Sequence, residues 1–238
     1  MPNSRFSFPL LVVAAVLGAA GGVAADELTD LLRGGPVVRV EQSEAGKFKR
    51  VLAIADVEAP LAQVWEVLNS QEKFSQFMPR VKRISVRQEG PMAKAVSYVL
   101  DTPFMDTSYT LRWSPREADH TIKVEHVSGD IKGSEYEYKL VSVSPERTRV
   151  YYGGVTRNFS SMASRFEDDQ QTITVGVNVT SMLAGLKAIK LRSETLWKQK
   201  KATLPAAAPT PAPAAPAAVA PAPVENPPAT TPAAGSTP

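Results

Sequence analysis

The spacing of apolar residues after position 60 predicts a helix. Leu61, Val64, Trp65 and Leu68 recur at i, i+3, i+4 and i+7, which places their side chains on one face. Pro60 suits the first turn of this helix, because the missing N–H of proline costs no hydrogen bond there. We therefore expect the segment to bury one side against the rest of the domain.

A second, shorter helix is expected directly after the first. Ser70 is a candidate N-cap, and Phe74, Phe77 and Met78 form a compact apolar stripe. Pro79 ends the stripe, because the residue before a proline avoids helical geometry.

Strand-like alternation of apolar and polar residues surrounds this helix pair. The runs are separated by turn sequences such as Glu-Gly-Pro at 89–91 and Ser-Gly-Asp at 128–130. A hairpin followed, after the helices, by six strands with short turns predicts an antiparallel meander. The predicted strands are residues 37–41, 48–57, 81–88, 94–101, 107–114, 121–127, 134–143 and 148–156.

The alternation assigns one face of the meander to the interior. Arg112 and Arg149 fall between the interior positions and are expected on the solvent face. The interior face is rich in tyrosine, and each phenol brings a hydroxyl group that needs a partner when buried. The interior positions are Tyr98, Leu100, Tyr109, Leu111, Trp113, Ile122, Val124, His126, Tyr136, Tyr138, Leu140, Val150 and Tyr152.

A long helix is predicted to close the domain. Its apolar stripe alternates spacings of four and three residues and consists of Val175, Val179, Met182, Leu186, Ile189, Ser193 and Leu196. Residues 173–179 also alternate strictly, as a strand would. We therefore predict helix for 181–199 and prefer helix for 171–179, where a strand stays open.

The first 25 residues have the form of a secretory signal peptide. Arg5 gives a positive start, the stretch from Leu10 is apolar, and small residues precede an expected cleavage site after Ala25. The protein is therefore predicted to be exported, to the periplasm or beyond the cell; a retained membrane anchor is the alternative. Residues 26–35 are expected to be a linker before a folded domain at 36–203.

Residues 204–238 are a predicted disordered tail. They hold 11 of the 20 prolines and are otherwise mostly alanine, threonine, valine and serine. This composition offers few large side chains to bury and favours extended, polyproline-like conformations. An inert spacer and a ligand for a proline-binding partner both remain open.

Candidate catalytic residues are few. The chain has no cysteine and two histidines, His120 in a predicted turn and His126 on the inward face beside Val124. His126 is a weak candidate for a general acid or base, and a half-buried structural role explains it equally well. No spacing of metal ligands and no phosphate-binding loop is present, so neither a metal nor a cofactor is expected.

The charge balance gives little indication of a charged partner. The formal net charge of +3 falls to +2 when Arg5 leaves with the signal peptide, which is too small to predict nucleic-acid binding. Lysines and arginines collect in the last helix. A solvated helix face and transient contact with anionic membrane lipids are the two interpretations.

Several stretches resemble the START-like (SRPBCC) superfamily, in its polyketide cyclase/dehydrase and coenzyme Q-binding branch. They are Ile-Ala-Asp-Val-Glu-Ala-Pro at 54–60, Val-Trp-Glu-Val-Leu at 64–68, and Phe74, Phe77 and Pro79 before Val81. Asn69 departs from the family pattern, in which aspartate is common. The resemblance implies an α+β helix-grip fold, in which a curved antiparallel sheet wraps around a long C-terminal helix and two short helices cap one end.

The same resemblance implies an apolar cavity between the sheet and the last helix. A binding protein for a lipid, quinone or polyketide-like molecule is the leading hypothesis. The alternatives are a cyclase or dehydratase that uses His126, and an envelope structural or assembly protein that acts through its tail. The residues expected at the ligand are Phe77, Met78, Tyr98, Tyr109, Trp113, His126, Tyr136, Tyr138, Tyr152, Leu186 and Ile189.

Overall fold

The computed structural model describes residues 25–101, 106–157 and 170–203. The predicted signal peptide up to residue 24 and the predicted tail from residue 204 lie outside the described residues. Helices α1, α2 and α3 span Ala25–Gly34, Leu61–Asn69 and Gln170–Thr203, and short 3-10 helices span Gln71–Gln76 and Glu117–Asp119. Strands β1 to β8 span Val37–Gln42, Phe48–Val57, Val81–Gln88, Lys94–Asp101, Asp106–Arg116, Thr121–Gly129, Glu135–Ser144 and Arg147–Val155.

The strands form one curved, unclosed antiparallel sheet of eight strands in the order β1-β2-β8-β7-β6-β5-β4-β3. The meander β3 to β8 returns to the first hairpin because β8 pairs with β2, from Val51 opposite Gly154 to Val57 opposite Thr148. Each predicted strand end lies within two residues of the observed one. The sheet, the long C-terminal helix and the short helices confirm the predicted α+β helix-grip fold.

Helix α3 packs on the sheet and on α2, with Met182, Leu186 and Ile189 fully buried. Asn178 fixes its first half. The Asn178 amide oxygen accepts from the Thr156 backbone N–H at 2.6 Å, and its Nδ2 donates to the Thr156 carbonyl at 3.1 Å. One side chain thereby continues the pairing just beyond the end of β8. Residues 171–179 belong to α3 and are helical, as preferred from the sequence, and the alternation there is not that of a strand.

The second half of α3 is fixed to the end of β2. Lys190 Nζ donates to the Asp56 carbonyl at 2.6 Å and to Glu194 at 2.6 Å. Glu194 in turn accepts from the Glu58 backbone N–H at 2.9 Å.

Among the described residues, the segment Thr172–Thr203 of α3 is the one helix with the length and apolar composition of a membrane span. The core helix of a globular domain also meets these two criteria.

The junction after α2 differs from the expected N-cap. Ser70 makes no capping bond to the following 3-10 helix, and its hydroxyl donates to the Glu66 carbonyl at 2.9 Å at the end of α2. Gln71 is fully buried and donates to the Leu68 carbonyl at 2.8 Å, and Lys94 donates to Gln71 Oε1 at 3.1 Å and to the Asn69 carbonyl at 2.7 Å. These bonds hold the helix pair to β4.

Residues 26–35, predicted as a linker, instead form most of α1, and Leu32 is buried. The helix covers part of the outer sheet face. Arg149, predicted to be solvated, is therefore buried there, with bonds of 2.7 and 3.0 Å to Asp56 and of 3.3 Å to Thr29. The hydrogen bond to Asp56 raises the pKa of Arg149. Strand parity was right about the face, but a helix covers that face.

Replacing Arg149 by Met should lower the free energy of unfolding by about 3 kcal/mol, because the Asp56 carboxylate stays buried without its partner. The Asp56→Asn/Arg149→Met double variant should recover most of this loss. The control Lys201→Met removes an exposed ion pair with Glu146 and should cost less than about 1 kcal/mol. Urea denaturation measures all three, and equal losses for Arg149→Met and Lys201→Met would contradict the prediction.

Candidate functional site

A cavity of about 270 Å³ lies between the sheet and the first half of α3. The 3-10 helix after α2 and the residues that follow it form one end, through Phe74, Met78 and Pro79. Besides Met182, α3 lines the cavity with the short side chains of Thr180, Ser181 and Ala184 and with Gly185, which leave room in front of the sheet. The other wall residues are Arg80, Val81, Tyr98, Leu100, Thr107, Tyr109, Leu111, Trp113, Val124, Ile131, Tyr136, Tyr138, Tyr152, Thr156, Thr180, Ser181, Met182, Ala184 and Gly185.

The strand register gives the cavity a direction. Thr107, Tyr109, Leu111 and Trp113 follow one another along the inward face of β5, and six residues of antiparallel strand rise about 20 Å. Trp113 is 3% exposed, and the Tyr98 hydroxyl reaches towards the Trp113 indole from a backbone position opposite Tyr109. The Trp113 end is therefore the inner end.

The mouth lies at the Thr107 end and is polar. Pro79, Arg80, Thr180 and Ser181 line it and are exposed to solvent. The wall therefore changes from aromatic residues at the inner end to hydroxyl-bearing residues and one arginine at the mouth. This gradient is suited to a molecule with an apolar body and a polar outer end.

A row of aromatic rings crosses the sheet beneath α3. Tyr138 and Tyr152, directly opposite each other on β7 and β8, stack at 4.2 Å between ring centroids with an interplanar angle of 5°. Trp113 stacks on Tyr138 at 5.7 Å, and Phe74 meets Trp113 edge-on at 5.6 Å. Stacked and edge-on rings hold one another rigidly, so the wall is a preformed surface.

Burial keeps the tyrosines of this wall protonated. It raises the pKa of Tyr98, Tyr109, Tyr136, Tyr138 and Tyr152 above the ordinary value, because a phenolate loses its hydration inside the domain. These side chains are therefore neutral hydrogen-bonding groups at physiological pH.

Two buried polar atoms of the wall lack a hydrogen-bond partner among the described residues. They are the Tyr98 hydroxyl and the Trp113 indole Nε1, which lie near each other but without the geometry of a hydrogen bond. The Tyr136 hydroxyl, by contrast, pairs with Thr156 Oγ1 at 2.7 Å. An unpaired buried hydroxyl or indole N–H is costly, and Trp113 can only donate. An oxygen acceptor on a bound molecule would satisfy both groups at the inner end.

Seven of the eleven residues expected at the ligand lie in the cavity wall: Met78, Tyr98, Tyr109, Trp113, Tyr136, Tyr138 and Tyr152. Phe77 does not, because Phe74 takes the wall position and Phe77 packs behind it, with ring centroids 5.4 Å apart and the Arg192 guanidinium 5.8 Å from the Phe77 ring. Leu186, which follows the wall residue Gly185, and Ile189, one turn further along α3, are buried in the core and do not line the cavity.

His126 lies outside the cavity wall, contrary to expectation. A register shift at Thr110/Leu111 makes Val127 an extra residue on β6, and such a bulge redirects neighbouring side chains. His126 Nε2 sits 3.3 Å from the Gly129 carbonyl, and the side chain is partly exposed. Ile131, which is 2% exposed, occupies the wall at this place. The candidate general acid or base is therefore not in position to act in the cavity.

Sequence reasoning missed several wall residues. Ile131 had a signal, as the one large apolar residue in the turn between Gly129 and Gly133. Thr180 and Ser181 had none, because polar residues on a helix usually indicate a solvated face. Within the described ranges, no group of three or more His, Cys, Asp or Glu is arranged to hold a metal ion.

Replacing Tyr98 by Phe should raise the free energy of unfolding by about 1 kcal/mol, because it removes a buried hydroxyl that has no partner. The matched change Tyr136→Phe breaks the bond to Thr156 and should lower that free energy by about 1 kcal/mol. Urea denaturation of the ligand-free protein compares the two. Equal destabilisation by both changes would show that the Tyr98 hydroxyl is paired.

The raised tyrosine pKa values predict alkaline sensitivity. Tyrosines of the unfolded chain titrate near pH 10, and the five buried phenols keep their protons to higher pH in the folded state. Above about pH 10 the unfolded state therefore releases protons first, and the free energy of unfolding falls as pH rises. Urea midpoints and phenolate absorbance between pH 8 and 12 check this. Ionisation of all six tyrosines near pH 10 in the folded protein would contradict it.

The family described as polyketide cyclase/dehydrase and lipid transport matches residues 57–183, which is more than half of the chain. The match begins at the end of β2, includes the helix pair and the cavity strands, and ends within the first half of α3. Comparison with curated proteins gave no match.

Solved structures show the same fold at low identity. The Zhui aromatase/cyclase of Streptomyces sp. R1128 is 20% identical, with a TM-score of 0.52 over 61% of this chain and 93% of that one. A STAR-related lipid transfer protein of Xanthomonas axonopodis is 17% identical, with a TM-score of 0.52 over 67% and 93%. Human STARD10 is 18% identical, with a TM-score of 0.51 over 70% and 73%.

The matched segment includes the strands that build the cavity and the start of α3, and the fold is that of these solved structures. The chain therefore belongs to the polyketide cyclase/dehydrase and lipid transport family.

Proposed function

We propose that this protein binds a small, largely apolar molecule that contains one or two rings, and holds it without transforming it. The observation that carries the proposal is the preformed aromatic cavity with two unpaired buried polar atoms, Tyr98 OH and Trp113 Nε1, at its inner end. An empty aromatic wall gains no contacts on its open side, whereas a ring placed on it does.

The size of the cavity limits the ligand. Pockets for small molecules commonly measure about 300–1,000 Å³, and a cavity of about 150 Å³ holds one benzene ring. A cavity of about 270 Å³ is therefore suited to about two fused rings or a short chain of similar volume. A lipid with two long acyl chains needs a much larger space.

The free energy of binding would come mainly from apolar burial. Removing about 200 Å² of apolar ligand surface from water is worth about 5 kcal/mol before the costs of association are subtracted. Hydrogen bonds from Tyr98 and Trp113 to a carbonyl oxygen would add specificity, because a ligand without this oxygen leaves both groups unpaired.

Binding is favoured over catalysis by the position of His126. The cyclase or dehydratase alternative assigned the proton transfer to this residue, and it lies outside the wall. Among the described wall residues the titratable groups are neutral tyrosines and Arg80, and burial makes phenols poorer acids. The assembly alternative rests on the tail alone.

Export is part of the proposal and is supported by the signal-like first 25 residues. A carrier outside the cytoplasm would hold a poorly soluble molecule in an aqueous compartment, and the proline-rich tail would act as a spacer. Mass spectrometry of the protein from the culture of its own organism would show an N-terminus at Asp26. Recovery of the intact N-terminus in the cytoplasm would oppose export.

The binding proposal is tested with 2-acetylnaphthalene and its carbonyl-free analogue 2-ethylnaphthalene, using calorimetry on the purified protein. We expect both to bind and the carbonyl compound to bind more tightly. Tyr98→Phe should lower the affinity for 2-acetylnaphthalene about fivefold, which is about 1 kcal/mol of binding free energy, and leave the affinity for 2-ethylnaphthalene unchanged.

The matched control is Tyr151→Phe, which removes a hydroxyl from the neighbour of Tyr152 that is not part of the wall. It should bind both probes like the unmodified protein. Failure of both probes to bind, together with native mass spectra that show no co-purified small molecule, would refute the proposal.

A further inference from the structure

We infer that Arg80 at the cavity mouth selects ligands whose outer end carries an anionic oxygen group, a carboxylate or a phosphate. The inference rests on the proposed binding function and specifies the ligand class. Arg80 is the one charged side chain among the described residues of the wall. It lies at the exposed, Thr107 end of the cavity. The Tyr98 hydroxyl and Trp113 Nε1, which lack a hydrogen-bond partner, lie at the opposite, inner end.

The guanidinium of Arg80 has unused hydrogen-bonding capacity. One of its five N–H groups, on Nη1, donates to the Asp101 carbonyl at 3.2 Å. No carboxylate of the described residues forms an ion pair with it. The nearby carboxylates of Asp101 and Asp106 instead lie 3.5 and 2.8 Å from Lys82 Nζ. An arginine with free donors beside an apolar cavity is a suitable partner for a planar anionic group.

The backbone holds Arg80 in an unfavourable conformation. Its φ is +62°, in the left-handed region that glycine or asparagine usually occupies. The bond from the Asp101 N–H to the Arg80 carbonyl, at 2.8 Å, fixes this conformation at the end of β4. A long cationic side chain at such a position carries a conformational cost, and such costs concentrate at functional sites.

The mouth also supplies neutral donors. Thr107, Thr180 and Ser181 bring hydroxyl groups to the same opening from β5 and α3. A ligand with a carbonyl at its inner end, a ring body and an anionic outer end therefore meets donors at both ends and apolar rings between. Other lysines and arginines of α3 lie outside the wall, so the preference for an anion is assigned to Arg80.

The test compares 6-acetyl-2-naphthoate and 6-acetyl-2-naphthyl phosphate with the neutral 6-acetyl-2-naphthamide, by calorimetry on the purified protein. We expect at least one anionic probe to bind about tenfold more tightly than the amide, and the better one identifies the group. Arg80→Gln should remove the tighter binding of the anionic probe and leave the affinity for the amide unchanged. Arg80→Lys should keep part of the preference for the anion.

Two further variants separate recognition from folding. Arg80→Gly should also lose the preference for anions while it keeps the melting temperature, because glycine adopts a φ of +62° without steric cost. Arg83→Gln removes an exposed cation of β3 outside the wall and should leave every affinity unchanged.

Equal affinity of the unmodified protein for the amide and both anions would overturn this inference and leave the proposed binding function intact. An equal loss of anion and amide binding in Arg80→Gln and Arg80→Gly would also overturn it. Failure of all three probes, and of 2-acetylnaphthalene, would overturn the binding function itself.

Discussion

The cavity depends on how α3 is fixed across the concave face of the sheet. Asn178 ties its first half to Thr156 beyond β8, and Lys190 ties its second half to the Asp56 carbonyl at the end of β2. Between these two points Leu186 and Ile189 pack closely on the sheet, and the gap under Ser181 and Gly185 is the cavity.

The wall of that gap combines rigidity with little charge. Ring stacking from Trp113 through Tyr138 to Tyr152 fixes the shape, and burial keeps the phenols neutral. The two unpaired buried groups, Tyr98 OH and Trp113 Nε1, lie at the inner end, and the one charged residue of the described wall, Arg80, lies at the mouth. Such a division provides affinity through apolar contact and orientation through a few polar groups, which is the usual composition of small-molecule sites.

Strand parity located the tyrosines of the wall correctly, because a period of two persists along a regular strand. It failed at His126, where the bulge at Val127 interrupts the period, and a turn residue, Ile131, takes the wall position. The helical stripe of α3 identified Leu186 and Ile189 as buried. It could not show whether side chains or empty space face them, since periodicity contains no information about the opposing element.

The order of elements, the family and the inward face of each regular strand follow from the residue pattern alone. Three features are visible only in the folded protein: α1 covers Arg149, residues 171–179 are helical, and the Tyr98 hydroxyl and Trp113 indole N–H lack hydrogen bonds. The physical reason is that a residue pattern reports the direction of a side chain relative to its own helix or strand. Burial, unpaired hydrogen bonds and cavity volume depend on distances between elements that are far apart in the chain.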